Sequence, residues 1–368
     1  MNKSLNSQPT KIKNYTTTSP KSRPRKRKTK TKKRGLFYQL RPLFVILLLL
    51  VRTLVIVVGI STILGTSLSI VNNYNSSLVE ENQNIDPPEE TEAEPHLDTF
   101  FSGVALNQKI AALENKINDL AATYNQLEPG VFLVDLDNNN YVNIQAGTPF
   151  ASASTIKVPI LVALFQDIDR GKVSLDEMLV MRENLIAGGS GNIQYEEPGK
   201  QYSVLETATK MIVISDNTAT NMLIERLGGA DVLNQRFLEW GLAATIINNP
   251  LPDLTGTNKT SPEDLSNLLI AVEEGKLISL RSRDRLLEIM RGTRTNTLLP
   301  EGLEKEANIA HKTGDIRSVL GDAGIVDMPN GKRYVISVLV NRPDNDPKAK
   351  ELIQKISDIA YQHLKRSK

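Results

Sequence analysis

Apolar residues recur along the body of the chain with two different periods. Residues 104–127 have the three- and four-residue apolar spacing of a helix. Residues 130–147 alternate between apolar and polar positions and predict a β-hairpin that turns at residues 137–140. The body therefore begins with a predicted helix followed by a hairpin.

The remainder of the body changes from helical to strand-like patterns. Residues 154–291 predict a helix-rich block, which Gly and Pro clusters interrupt. Three strand-like runs and a last helix follow, at residues 307–312, 319–327, 334–341 and 347–365. This order predicts an α+β fold, in which an antiparallel sheet is flanked by the N- and C-terminal helices and the middle block forms a second, all-helical lobe. We expect a cleft between the two lobes.

A long apolar stretch precedes the body. Residues 43–71 carry a single charge, Arg52. A bilayer-spanning helix needs roughly 20 apolar residues, and a span that begins at Thr53 leaves Arg52 at the inner interface. The stretch is too long for a cleaved signal peptide, so we predict one uncleaved transmembrane signal anchor.

Charge is distributed unevenly around this stretch. The formal net charge is only +2, but residues 1–79 hold 15 Lys and Arg and no acid, whereas residues 72–98 hold eight acids and no base. Positive charge stays on the cytoplasmic side, so we expect the N-terminus inside and the body outside, in the periplasm or its equivalent. The predicted segments are a disordered basic tail that contacts anionic lipid (1–42), the anchor (43–71), an acidic Pro- and Glu-rich linker (72–98) and a folded domain (99–368).

Composition excludes several kinds of chemistry. The chain has no Cys and only three His, which removes thiolate nucleophiles and argues against metal centres built from Cys or several His. Few aromatic residues accompany the basic tail, so we expect no nucleic-acid partner. Neither a metal nor a cofactor is expected, and a nucleophile has to be sought among Ser, Thr and Lys.

Three short motifs occur in order in the body: Ser154-Thr155-Ile156-Lys157, Ser215-Asp216-Asn217 and Lys312-Thr313-Gly314. The first places a serine and a lysine one helical turn apart. Such a lysine can accept the serine proton only if burial or a neighbouring cation lowers its pKa. Each motif alone has a simpler interpretation, as an exposed Ser and Lys, a helix N-cap and a solvated strand end.

Together, and in this order, the motifs resemble those of the serine β-lactamase and penicillin-binding protein superfamily, most closely the class A β-lactamases. The resemblance extends over most of residues 99–368 and includes the stretch MIVISDNTATNMLIERLGG and a TSP at residues 260–262 that opens a helix. It implies the fold predicted above and a serine hydrolase that acts on a small-molecule β-lactam or on a cell-wall peptide.

The resemblance implies four catalytic residues. Ser154 would be the acylated nucleophile and Lys157 its base. Ser215 would relay the proton to the departing nitrogen, and Lys312 would be a second cation that helps to keep Lys157 neutral.

The resemblance also implies a set of substrate-binding residues. Asn217 would donate to the side-chain amide of the substrate, while Lys312 and Thr313 would bind its carboxylate beside Gly314. The backbone N–H groups of Ser154 and Asp315 would form the oxyanion hole. Family members usually have a small residue or Ser where Asp315 stands, and an acid this close to a carboxylate site is expected to weaken substrate binding.

A larger departure from the class A pattern lies between Ser215 and Thr260. Class A enzymes have there a loop with the pattern E-x-x-L-N, whose glutamate activates the deacylating water. This chain reads Leu251-Pro252-Asp253-Leu254-Thr255, so Leu251 replaces the glutamate and Thr255 the asparagine. Asp253 is the nearby carboxylate and the candidate for a substitute role in deacylation.

Three functions are compatible with these motifs and with the changed loop. The first is a membrane-anchored hydrolase that opens β-lactams, with Asp253 or Lys157 activating water. The second is a slowly deacylating penicillin-binding or D-alanyl-D-alanine peptidase type enzyme that acts on cell-wall peptides. The third is a tethered binding or sensor domain without turnover. The missing glutamate favours the second and third, and the motif flanks favour the first as a family assignment.

Overall fold

A computed structural model describes residues 106–367 of the protein. In chain order, the strands are β1 (Glu128–Asp135), β2 (Tyr141–Ile144), β3 (Phe150–Ala151), β4 (Met178–Val180), β5 (Gln201–Ser203), β6 (Lys259–Thr260), β7 (Asn308–Ile316), β8 (Val319–Asp327) and β9 (Arg333–Asn341). The helices are α1 (Ala111–Ala121), α2 (Lys157–Asp169), α3 (Val204–Val213), α4 (Asn217–Arg226), α5 (Ala230–Glu239), α6 (Pro262–Glu273), α7 (Leu280–Arg291) and α8 (Lys348–Arg366).

The main sheet has five strands in the order β2-β1-β9-β8-β7, and every neighbouring pair is antiparallel. Strands β8 and β9 are buried along nearly their whole length, because both faces of the sheet are covered. Strand β7 is an edge strand, so one side of its backbone is available to face the serine motif.

The terminal helices cover one face of this sheet, as predicted. The buried residues of α8 recur at helical spacing, with Leu352, Ile356 and Ala360 among them. They pack with Leu113 and Ile117 of α1 against the sheet, and together these side chains form one hydrophobic cluster. The apolar spacing that predicted the first helix thus marks the face of α1 that packs against the sheet.

The other face of the sheet packs on the helical lobe. Helix α2 is buried almost all round, from Lys157 to Asp167, and its side chains belong to the second hydrophobic cluster. The prediction that this lobe is all-helical was wrong, since β4 pairs with β5 inside the middle block, and β6 of the same block pairs with β3, which precedes it. Strands of two or three residues are too short to produce a readable alternation.

Two predicted elements have different bounds. Residues 106–110 do not join α1, because their backbone pairs with the turn and with β2: Asn107 N–H donates to Asn139 O (2.9 Å) and Ile110 N–H to Tyr141 O (2.7 Å). Strand β7 continues four residues beyond the predicted end at Lys312 and pairs with β8 up to Ile316. The Lys-Thr-Gly motif therefore lies inside a strand rather than at its end.

Within residues 106–367, the structure has no helix that is both long and apolar enough to cross a membrane. The predicted tail (1–42), anchor (43–71) and linker (72–98) lie outside the described residues. Their boundaries stay predictions.

Candidate active site

Ser154 lies in a 3₁₀ turn, Ala153–Ile156, that leads directly into α2. The preceding residue, Ala153, has a φ of +45°, a left-handed conformation that costs a non-glycine residue on the order of 1 kcal/mol. Pro159 falls in the first turn of α2, where its missing N–H interrupts no helical hydrogen bond. The strained turn thus presents the serine at the start of the most buried helix of the lobe.

Lys157 is the first residue of α2, and its side chain is fully buried. Its Nζ contacts three oxygen atoms: Ser215 O at 2.7 Å, Ser215 Oγ at 3.1 Å and Asn217 Oδ1 at 2.8 Å. A charged ammonium group donates to all three. In the neutral amine, one of the contacts reverses, and the nitrogen lone pair can accept the hydroxyl proton of Ser215.

Ser215 connects Lys157 to Ser154. It has a φ of +56° at the end of α3, and its Oγ donates to Ser154 Oγ at 2.9 Å. Among the described residues, Lys157 reaches Ser154 only through Ser215, so the direct lysine–serine contact suggested by the three-residue spacing is not formed. The geometry is a chain of two hydrogen bonds, from Ser154 through Ser215 to Lys157.

The residues beside Ser215 hold the second motif in place. The Asp216 carboxylate accepts from Ala219 N–H (2.9 Å) and therefore caps α4, and it also accepts from Asn192 N–H (2.7 Å). The Asn217 side chain donates from Nδ2 to Gly188 O (2.8 Å). The N-cap interpretation of this motif is thus correct for Asp216, while Asn217 and Ser215 face the buried lysine.

The electrostatics of the site favour a neutral Lys157. Burial, and after it the positive charge of Lys312, hold the pKa of Lys157 well below its usual value, against the opposing charge of Asp216. A lowered pKa makes a lysine available as a general base at a lower pH than an ordinary lysine. The sequence analysis required a lowered pKa for this lysine, through burial or a neighbouring cation. Both causes act on Lys157.

The third motif reaches the serine turn from the free edge of β7. A Cβ atom on Gly314 would lie 3.0 Å from Ser152 O, so glycine allows the close approach of strand and turn. Lys312 is buried, and its Nζ donates to Thr313 O at 2.8 Å. Burial lowers the pKa of Lys312 to about 8, with the charge of Asp322 acting in the opposite direction. Lys312 therefore stays largely charged at neutral pH.

Asp315, the residue after this motif, is paired with a cation. Its carboxylate binds the Arg342 guanidinium, which lies just beyond β9. The same guanidinium donates to Ile316 O at 3.1 Å. The acid that follows the third motif is thus paired with an arginine that no sequence motif marks.

Asp253, the candidate substitute for the missing glutamate, is occupied within its own loop. Its carboxylate accepts from Asn258 N–H (2.6 Å), Thr257 Oγ1 (3.0 Å) and Thr255 Oγ1 (3.1 Å). Burial alone would raise the pKa of Asp253, but these hydrogen bonds outweigh it and leave the pKa below its usual value. A carboxylate with a low pKa and three donors is a poor base and acts here as the organiser of the loop.

Leu251 is held at the start of the same loop by α4. Asn221 donates from Nδ2 to Leu251 O (2.8 Å), and its Oδ1 accepts from Leu251 N–H (2.9 Å). The Leu251 side chain is buried in the hydrophobic cluster of the helical lobe. The loop borders the site, because a Cβ on Gly189 would lie 3.3 Å from Asn217 Nδ2 and 3.8 Å from Pro252 Cβ.

Two residues of this arrangement were missed in the sequence. Asn221 follows Ser215 by six residues in the quoted stretch, but an Asn inside a helix carries no signal that its amide binds a loop 30 residues away. Arg342 lies 27 residues from Asp315 and has no motif around it. Within residues 106–367, no group of three or more His, Cys, Asp or Glu side chains is placed to hold a metal ion.

Comparison with known proteins gives a consistent family and fold. The model of the beta-lactamase enzyme family matches residues 112–364. The beta-lactamase VEB-1 of Pseudomonas aeruginosa is 28% identical over 282 residues, which are 72% of this chain and 93% of that protein.

Among solved structures, that of PBP-A is 53% identical and has a TM-score of 0.70, covering 72% of this chain and 100% of that one. A leucine-to-glutamate mutant of PBP-A, solved as an acyl-enzyme complex with penicillin G, is 52% identical with the same TM-score of 0.70 and the same coverage of 72% and 100%.

Proposed function

The chain belongs to the beta-lactamase enzyme family, and we propose that within it the protein is a penicillin-binding type serine enzyme. Ser154 becomes acylated by β-lactams, and the acyl group is hydrolysed slowly from the serine. The natural substrate is a cell-wall peptide of the D-alanyl-D-alanine type, for which the β-lactam is a mimic and an inhibitor.

The acylation step uses the chain of hydrogen bonds among the two serines and the buried lysine. Ser154 Oγ attacks the amide carbonyl carbon and forms the new C–O bond, while its proton passes through Ser215 Oγ to the neutral amine of Lys157. The proton then returns through Ser215 to the departing nitrogen as the C–N bond breaks. The oxyanion is stabilised by the N–H groups of Ser154 and Asp315.

Substrate binding uses the residues around this chain. The charged Lys312 and the Thr313 hydroxyl bind the substrate carboxylate as a point charge and a neutral donor. Asn217 keeps one amide N–H beyond the one that binds Gly188 O, and it donates to the side-chain amide of the substrate.

One observation carries the choice of slow release: the loop that would supply the deacylating carboxylate supplies none. Leu251 is apolar and buried, and Asp253 is bound by three donors of its own loop. Water that attacks the acyl-enzyme then lacks a carboxylate base, and general base catalysis is worth typically 10²–10⁴-fold in rate. The likeness to PBP-A, whose leucine-to-glutamate mutant was solved as an acyl-enzyme complex with penicillin G, supports acylation by β-lactams.

A second candidate is a β-lactamase with full turnover. It is favoured by the relatives named beta-lactamases and by the lowered pKa of Lys157, because a neutral amine can activate water once the acyl-enzyme has formed. A non-catalytic sensor is less well supported, since such a domain needs no low-pKa lysine joined to a serine by hydrogen bonds.

The purified full-length protein, mixed with a chromogenic cephalosporin, distinguishes these functions. We expect a stoichiometric colour change followed by a slow steady state, and an intact mass increased by one ligand that persists, with Ser154→Ala giving neither. Sustained rapid turnover would establish the β-lactamase instead. An unmodified mass at high ligand concentration would leave only the sensor.

Substitution of Leu251 tests whether the loop lacks a deacylating base. Leu251→Glu is expected to raise the steady-state rate by tenfold or more, in line with the typical worth of a general base. Leu251→Gln is the matched control, because glutamine is a polar side chain of nearly the same shape as glutamate but has no carboxylate. An equal gain in both variants would show that loop disruption, not base catalysis, is responsible.

We propose that residues 43–71 anchor this domain to the membrane, with the basic tail cytoplasmic and the domain in the periplasm or its equivalent. The support is the apolar length of the stretch and the 15 basic residues before Glu80. Protease added to intact spheroplasts should remove the domain and leave the tail protected. Protection of the domain would overturn this orientation.

A further inference from the structure

An exposed acid lies on the strand that is proposed to bind the substrate carboxylate. Thr313 and Asp315 are two residues apart on β7, so their side chains leave the same face of the sheet, roughly 7 Å apart along the strand. The side chain of Asp315 is 64% exposed. Without compensation, its negative charge would repel an anionic ligand held by Lys312 and Thr313.

The compensation comes from Arg342, which follows the last residue of β9. Its side chain is only 5% exposed, and its guanidinium binds the Asp315 carboxylate. Further hydrogen bonds run from the guanidinium to Ile316 O (3.1 Å) and Asn345 Oδ1 (3.3 Å). The backbone N–H of Arg342 donates to Ser318 O (2.8 Å), so the arginine is fixed to the end of the β7–β8 hairpin as well as to the acid.

A buried arginine is a costly residue unless something requires its charge. The Nε of Arg342 is buried and has no partner among the described residues, so the site does not satisfy this guanidinium fully. The arrangement is therefore better explained by a demand for positive charge next to Asp315 than by packing of the hairpin end.

We propose that Arg342 is a specificity-determining residue for anionic ligands, because it neutralises Asp315 beside the carboxylate-binding residues Lys312 and Thr313. The inference rests on the proposed function, since it concerns the ligand carboxylate of the same site. Arg342 acts through Asp315 and is thus a positioning residue, not a catalytic one. With Arg342 present, Asp315 does not lower the affinity of the site for an anionic ligand.

The test measures acylation of the full-length protein by penicillin G at sub-saturating concentration, followed by intact mass. Arg342→Met keeps an apolar stem and removes the charge, which exposes the ligand to the charge of Asp315. The separation of Thr313 and Asp315, about 7 Å, is taken as that between the ligand carboxylate and the Asp315 carboxylate. Repulsion at this distance, with an effective dielectric between about 20 and 80, predicts a loss of roughly 3- to 50-fold in the acylation rate. Asp315→Asn should increase the rate, because Arg342 is then left uncompensated.

The double variant separates charge from structure. If Arg342 acts through the charge of Asp315, Arg342→Met combined with Asp315→Asn removes both charges and returns the rate to within about threefold of the unmodified protein, as expected for compensating single charges. Added salt should also reduce the loss in Arg342→Met, because salt screens an exposed charge. Arg333→Met is the matched control at the other end of the sheet, where Arg333 pairs with Asp327, and it should leave the rate unchanged.

Each outcome has a separate meaning. If the unmodified protein is acylated but the double variant is as slow as Arg342→Met, with no effect of salt, then Arg342 only supports the fold and the inference is overturned. If Arg342→Met is as fast as the unmodified protein, the inference is overturned as well. If the unmodified protein forms no adduct at all, the proposed function fails, and the inference fails with it.

Discussion

Replacing Lys312 with Met should stabilise the folded protein at neutral pH, although it removes a residue of the proposed site. Lys312 is 1% exposed, and burial lowers its pKa from 10.5 to about 8. Keeping it charged in the folded state therefore costs free energy. Methionine fills a similar volume with an unbranched, uncharged chain and avoids that cost.

The magnitude follows from the lowered pKa. The difference, 10.5 − 8 = 2.5, corresponds to roughly 3 kcal/mol at 1.36 kcal/mol for each pKa unit. The substitution also removes the hydrogen bond from Nζ to Thr313 O, which is worth about 1 kcal/mol. The expected net gain in the free energy of unfolding is about 2 kcal/mol at neutral pH.

The sign of the pH dependence is fixed by the direction of the pKa change. The folded-state pKa of Lys312 lies below the unfolded value, so the unfolded chain binds the proton more tightly. The penalty is complete below about pH 8 and disappears as the pH rises towards 10.5. The advantage of the Met variant should accordingly be lost near pH 10.

Urea denaturation of both proteins at neutral pH and near pH 10 measures this difference. Lys350→Met is the control, since Lys350 is exposed on α8 and the same substitution there should change stability little at either pH. The reasoning is refuted if Lys312→Met is less stable than the unmodified protein at neutral pH. It is refuted equally if the gain persists unchanged near pH 10.

Three further predictions concern the site and its loop. The acylation rate should rise with pH as Lys157 loses its proton, at a pH well below the usual lysine value, and fall above about pH 8 as Lys312 loses its charge. A pH series of adduct formation measures both changes, and a rate still rising near pH 10 would contradict the prediction. Asn221→Ala should reduce the free energy of unfolding by about 2–4 kcal/mol, because it leaves the buried N–H and C=O of Leu251 unpaired. Urea denaturation measures the loss, and a change below about 0.5 kcal/mol would show that other partners replace these hydrogen bonds. Gly314→Ala should slow acylation at least tenfold with little loss of stability, since the new Cβ would press on the serine turn at 3.0 Å; mass measurement of the adduct tests it, and an unchanged rate would mean that β7 can move away.

The sequence by itself determined the order of the long elements and the identity of the motif residues, but not the short strands of the middle block. Helical spacing in α1 and alternation in β2 are local properties, because each depends on residues a few positions apart. The spacing of three residues between Ser154 and Lys157 is likewise local. The family resemblance added the expected roles of Ser215 and Lys312, which no local pattern assigns.

Only the tertiary structure decided how these residues are connected. Lys157 bonds Ser215, 58 residues away, rather than Ser154, which lies one turn from it. Asp253 is consumed by its own loop, and Asp315 is paired with Arg342. The pairings of Lys157 with Ser215 and of Asp315 with Arg342 have no fixed spacing in sequence, because packing of separate elements brings the partners together. Burial, which sets the pKa of both lysines, depends on the same packing and cannot be obtained from the order of residues alone.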